Sequence, residues 1–155
     1  MKKPSKKQLT AIIFWVLTAV CFGIIFYFSA CPADESSMQS DWILKIIYSI
    51  FGESKATAFI VRKLAHFLEY TGTSLIMSAA FYFTFDKNRI YLPIIFTSLY
   101  AATDEFHQRF VAGRSCELRD WAIDTLGAVL GALIFTAIVY IIKKIKAHDM
   151  RRDKK

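Results

Sequence analysis

Cysteine, proline and glycine are all scarce in this chain of 155 residues, numbering three, three and six. So few cysteines exclude a disulfide framework as the main source of stability. Cys21 lies inside an apolar run and reads as a small core residue, whereas Cys31 and Cys116 fall in more polar segments. Proline interrupts little: Pro32 stops the first apolar run, and Pro93 stands in the first turn of a later one, where it costs little. Internal repeats and low-complexity linkers are missing, so the chain reads as one domain, without the inverted repeats of many secondary transporters. A nucleophile motif is missing too, since Ser36, Ser37, Ser40 and Ser115 fall in loop-like segments.

What the chain has in excess is apolar side chains, 55% of the total, which argues against a soluble single domain. A helix needs about 20 apolar residues to cross a hydrocarbon core about 30 Å thick. Four stretches reach that length, at residues 9–30, 64–85, 90–110 and 123–142. The second and third do so only if the polar clusters at their ends are accepted. The expected fold is all-α: an integral membrane bundle of four transmembrane helices over residues 9–142, between basic tails 1–8 and 143–155. Residues 42–51 (WILKIIYSIF) are apolar but too short to span, and are expected to form a short interfacial helix in the first outer loop. Trp42 and Tyr48 suit that depth. The first run opens on lysines as a signal peptide does. Its 22 residues exceed the roughly 7–15 of a signal core, however, so a retained anchor is expected.

Charge is lopsided. Thirteen of the 20 Lys and Arg residues fall in the two tails and in the loop between the second and third stretches. Only Asp86, Asp149 and Asp153 oppose them there. The positive-inside rule makes that side cytoplasmic and predicts a multi-pass plasma-membrane protein with both termini inside. The basic character then follows from topology, and nucleic acid is not an expected partner.

Ionisable residues inside spans are expensive and usually face a bundle interior or a wet cavity. Arg62, Lys63, His66 and Glu69 open the second stretch, and the spacing of Arg62, His66 and Glu69 puts those three on one helix face. Asp104, Glu105, His107 and Gln108 close the third, and Asp120 and Asp124 open the fourth. At about 1.5 Å per residue, Glu69 stands roughly 24 Å from the inner end of its stretch and Asp104 roughly 21 Å from the inner end of its own. All three clusters therefore reach one depth, near the outer edge. Asp120, Asp124, Gly127 and Gly131 share a face, and the Gly-x-x-x-Gly pair predicts close packing, within the chain in preference to a homo-oligomer contact.

Several chemistries fit these groups. One is a buried ion-pair network in which Arg62, Lys63 and Arg114 neutralise the carboxylates. Another is anion recognition: Arg62, Lys63 and Arg114, with Gln108, Asp120 and Asp124, would bind the phosphate of an anionic lipid or a lipid-linked envelope precursor. Acid/base catalysis would draw on His66, Glu69, Asp104, Glu105 and His107. A metal-dependent membrane enzyme would use the pairs His66/Glu69 and Asp104/His107, spaced i, i+3, although neighbouring cations disfavour a metal. No cofactor is specified by any of these readings.

These residues also carry a family resemblance. Residues 62–70 (RKLAHFLEY), 103–110 (TDEFHQRF) and 113–115 (GRS), followed by Asp120 and by Asp124-Thr125-Leu126-Gly127 through to Gly131, are similar to the VanZ-like family of small bacterial membrane proteins. Phe28-Ser29-Ala30, Pro32 and the serines after it extend the resemblance, which covers about residues 8–142. It implies a multi-span protein of the cell envelope. The family takes its name from a member that raises tolerance to the glycopeptide teicoplanin, and no biochemical activity comes with the name.

Overall fold

The first apolar run becomes helix α1, Lys6–Ala30, which starts on a reciprocal capping box. The Ser5 hydroxyl accepts from the Gln8 N–H at 3.2 Å, and Gln8 Oε1 accepts from the Ser5 N–H at 2.8 Å. The helix ends at Cys31, whose backbone is extended, as the residue before a proline requires. The structure is a computed structural model that describes residues 3–31, 48, 49, 52 and 55–152. Three further helices follow: α2, Lys55–Phe85; α3, Tyr91–Gln108; and α4, Leu118–Arg152. Among the described residues there is no strand, so the all-α expectation is met. Tyr48 and Ser49 are helical, and the rest of the expected interfacial helix at 42–51 lies outside the described residues.

The helix ends depart from the apolar boundaries. α2 begins nine residues ahead of 64, and α4 runs ten residues past 142. The segment 143–152 (KKIKAHDMRR) is rich in good helix formers and has no Gly or Pro to stop it, so polarity alone does not end the helix. Between α2 and α3 the chain reverses through Asp86, which takes a positive φ of 58°. The turn is tied to the start of α1 by the Lys7–Asp86 ion pair.

α2 is the central helix. Its closest partner is α4, and the two glycines of α4 explain why. A Cβ at Gly127 would meet the Phe67 carbonyl oxygen, and one at Gly131 would run into that of Thr71. The Gly-x-x-x-Gly face is thus filled by α2 of the same chain, which lets the two backbones meet. Ser74 Oγ donates to the Ala128 carbonyl across this seam at 2.6 Å. α3 is held to α4 by Trp121 Nε1 donating to the Ser98 carbonyl (3.1 Å) and by the Ser98–Thr125 hydroxyl pair (2.8 Å). It is held to α1 by Tyr100, which stacks on Phe22 at 3.9 Å and donates to the Phe22 carbonyl at 2.7 Å.

The distribution of side chains inverts that of a water-soluble bundle. The interior holds Thr18, Ser29, Thr73, Ser74, Ser78, Thr97, Asp104, Glu105, Asp120 and Asp124, with mostly alanines as its apolar part. Leu, Ile, Phe and Val residues of all four helices are exposed instead. Contiguous apolar exposure on this scale is costly in water and ordinary in lipid. α1 and α4 are long and apolar enough to cross a membrane by length and composition. α2 carries Arg62, Lys63 and Glu69 in its first half, and α3 has only 18 residues ending in a charged cluster.

Candidate functional site

At one end of the bundle α2 begins, α3 ends and α4 begins, and their polar clusters converge there. The short loop between α3 and α4 closes over them, turning at Gly113, whose φ of 74° suits a residue without a Cβ. The result is a small, partly enclosed pocket with a cavity volume of about 40 Å³. Arg62, Lys63 and His66 of α2, Glu105 and Gln108 of α3, Arg114 of the loop, and Asp120 and Asp124 of α4 line it. Eight of the residues expected from sequence thus share one cavity, though they come from points up to 62 residues apart.

The walls are fixed by polar contacts. Lys63 pairs with Asp120, both largely buried. Asp104 is buried behind the pocket, and one of its oxygens accepts from Tyr70 OH at 3.3 Å and from Gln108 Nε2 at 3.1 Å. Glu105 accepts the backbone N–H of Glu117 at 3.0 Å, pinning the start of α4 to the end of α3. Arg114 turns to α1, donating from Nε to the Cys31 carbonyl (2.9 Å) and from Nη2 to the Phe28 carbonyl (2.8 Å). These are carbonyls a helix C-terminus leaves unpaired, so the guanidinium caps α1 and complements its dipole. Burial lowers the pKa of Arg114 from its ordinary value. The Ser115 hydroxyl and then Arg119 hold the Glu117 carboxyl below the usual carboxylate range.

Three expected residues do not line the cavity. Asp104 is the buried acceptor just described. Glu69 lies 4.0 Å from His66 Nδ1, beyond hydrogen-bond reach. His107 faces α1, its ring 4.8 Å from that of Phe26. At about 100° per residue, Glu105 and His107 stand roughly 160° apart around α3, so a helix that points one into the pocket turns the other away. His107 is thereby separated from the pocket-facing His66. Among the described residues no group of three or more His, Cys, Asp or Glu is placed to hold a metal ion. Cys31 and Cys116 form no disulfide with each other.

Some features escape a sequence reading. Tyr70 is fully buried and supplies a hydroxyl to Asp104. Its signal is present, since a tyrosine in a buried face needs a hydrogen-bond partner and it lies one turn after His66. Ser115, Glu117 and Ile123 also line the pocket, and nothing in their spacing marks them. Phe59 sits near the site with three cations around its ring: Lys63 at 5.0 Å, Arg119 at 5.3 Å and Arg62 at 6.0 Å from the centroid. Buried atoms without a hydrogen-bond partner among the described residues include His66 Nδ1 and Asp120 Oδ1 beside the pocket and Asp104 Oδ1 behind it.

No curated protein and no solved structure matches the chain. The family model described as VanZ/LLP1 matches residues 14–141, a stretch that contains every pocket residue named above. With most of its length matched, the chain belongs to the VanZ/LLP1 family.

Proposed function

We propose that this VanZ-like protein is a four-span protein of the plasma membrane whose pocket opens outward and binds, or acts on, the anionic headgroup of a lipid or lipid-linked envelope precursor. α1 to α4 supply spans at about 9–30, 64–85, 90–110 and 123–142, and the basic tails lie in the cytoplasm. The apolar exterior supports immersion in lipid. The distribution of Lys and Arg supports the orientation.

The observation that carries the reading is Arg62. It lines the pocket beside Lys63 and close to Arg119, yet no carboxylate among the described residues lies within ion-pairing distance of it, whereas Lys63 has Asp120 and Arg119 has Glu117. A guanidinium presents a planar fork suited to a phosphate, and a partner is more valuable to it in a desolvated site than in water. The family association with teicoplanin fits an outward site, because glycopeptides act outside the membrane on lipid-carried precursors. A change in glycopeptide susceptibility is a proposed consequence of headgroup binding.

A structural ion-pair network is the second reading, favoured by the Lys63–Asp120 pair and by the Tyr70 and Gln108 bonds to Asp104. Arg62→Ala separates the two. In detergent, an anionic phospholipid is expected to stabilise the protein, by about 2.7 kcal/mol at a hundredfold excess over Kd. Arg62→Ala is expected to lose that increment while keeping its lipid-free stability within about 0.5 kcal/mol. Collapse of the lipid-free stability supports the network instead, and undiminished stabilisation by lipid contradicts the headgroup reading.

A further inference from the structure

The polar pocket contains an acceptor that the protein itself leaves without a donor. Asp124 is only 2% exposed and lines the cavity, yet it makes no hydrogen bond or ion pair among the described residues. Its acidic neighbours are engaged: Asp120 pairs with Lys63, and one oxygen of Asp104 accepts from Tyr70 and Gln108. Glu105 faces the same cavity and commits Oε2 to the Glu117 N–H, which leaves Oε1 for another donor. A buried acceptor without a donor has lost the hydration it had in water, and only a new donor recovers that loss. Among the described residues these carboxyls are not grouped to hold a metal ion, so the donor comes from water or from a ligand. The pocket thus offers the unpaired guanidinium of Arg62 on the α2 wall and open carboxyl oxygens on the α3 and α4 walls.

We infer that the group bound here is a phosphoglycerol, with its phosphate on Arg62 and its two hydroxyls donating to Asp124 and Glu105. The inference rests on the headgroup reading proposed above and narrows it. Three observations select this group. The first is the pairing of walls: one ligand must bring an anion for Arg62 and donors for two carboxyls. A bare phosphate supplies only the anion, whereas the vicinal diol of glycerol adds two donors on adjacent carbons. The second is size. A cavity of about 40 Å³ has room for roughly three water-sized groups, which admits the glycerol arm beyond the phosphate and excludes a sugar ring. The third is charge. An ammonium arm would also donate, but it would enter beside Arg62, Lys63 and Arg114, whose like charge opposes it; a neutral hydroxyl meets no such opposition. Arg62 is half-buried and Asp124 buried, so the phosphate takes the shallower position and the diol the deeper one.

Phosphatidylpropanol isolates the diol, because it has the charge and the three-carbon arm of phosphatidylglycerol but no hydroxyl. The full chain in detergent is titrated with each lipid, carrying the same acyl chains, and the dissociation constants are read by native mass spectrometry. Phosphatidylglycerol is expected to bind about tenfold more tightly, as fits donors to buried carboxyls. Asp124→Leu is expected to lower its affinity to that of phosphatidylpropanol, whose own affinity stays unchanged. Arg62→Ala is expected to weaken both. Free glycerol phosphate in about a hundredfold excess separates the sources of the group: failure to displace the lipid assigns it to a membrane headgroup, and displacement to a soluble phosphoglycerol. Equal affinities that both fall with Arg62→Ala would mean that water alone meets Asp124. That result overturns the inference and leaves the headgroup reading standing. Affinities that Arg62→Ala does not change overturn both. Tighter binding of phosphatidylethanolamine than of phosphatidylglycerol would assign the carboxyls to an ammonium and overturn the diol. The comparison of lipids on the parent protein decides the matter even where Asp124→Leu fails to fold.

Discussion

Single residues at the pocket differ in whether they hold the fold or stand ready for a ligand. Lys63 and Asp120 are largely buried opposite charges, and removing one leaves the other uncompensated. Lys63→Ala is expected to destabilise the protein by about 3–5 kcal/mol, measured by denaturation in detergent, and Lys63→Met with Asp120→Leu to recover most of that loss. A Lys63→Ala variant as stable as the parent would show that the pair contributes nothing. Tyr70→Phe removes one of the two donors to a buried Asp104 oxygen, and its expected cost is about 1–3 kcal/mol on the same measurement. Much of this was legible beforehand. Polar and charged residues in or beside the apolar stretches identified Arg62, Lys63, His66, Glu105, Gln108, Arg114, Asp120 and Asp124, all of which share the cavity. His107 was not separable from them, because i, i+3 spacing to Asp104 says that two residues are neighbours but not which way they face. Arg114 reads as an anion ligand from its type, whereas its donors go to α1 carbonyls, a tertiary contact 83 and 86 residues away that no local pattern encodes.

Among the helices, the contact between α2 and α4 decides the packing. Gly131→Ala would drive a methyl into the Thr71 carbonyl and to 2.9 Å from the Leu75 nitrogen, and backbone cannot swing aside as a side chain can. A loss of about 1–3 kcal/mol is expected, with Gly127→Ala similar in sign, by thermal unfolding. Gly72→Ala is the control: it has nothing within 4 Å, and helix propensity predicts a gain of up to about 1 kcal/mol. Equal effects at Gly72 and Gly131 would contradict the close-packed seam. The apolar runs revealed where the helices are, because exposure to lipid leaves long hydrophobic stretches. Helix limits were less legible. α2 extends back to Lys55 and α4 on to Arg152, since helix formation needs only favourable residues and no breaker, whereas an apolar run ends wherever polar residues begin.

The whole molecule has a polar end and a basic end, with an apolar belt between them. Topology is the first thing to test at this scale. With Cys21 and Cys31 replaced by serine, exposed Cys116 is expected to react with an impermeant maleimide added to intact cells, and a cysteine introduced by Met150→Cys only after permeabilisation. The reverse pattern would place the pocket inside. The pocket's occupant is the central claim, and native mass spectrometry of protein released from nanodiscs of mixed anionic and zwitterionic phospholipid tests it most directly. The account expects one anionic lipid to persist on each chain and Arg62→Ala to remove it. Protein that emerges bare, or that retains anionic and zwitterionic lipids in the proportions of the bilayer with or without Arg62, would contradict it.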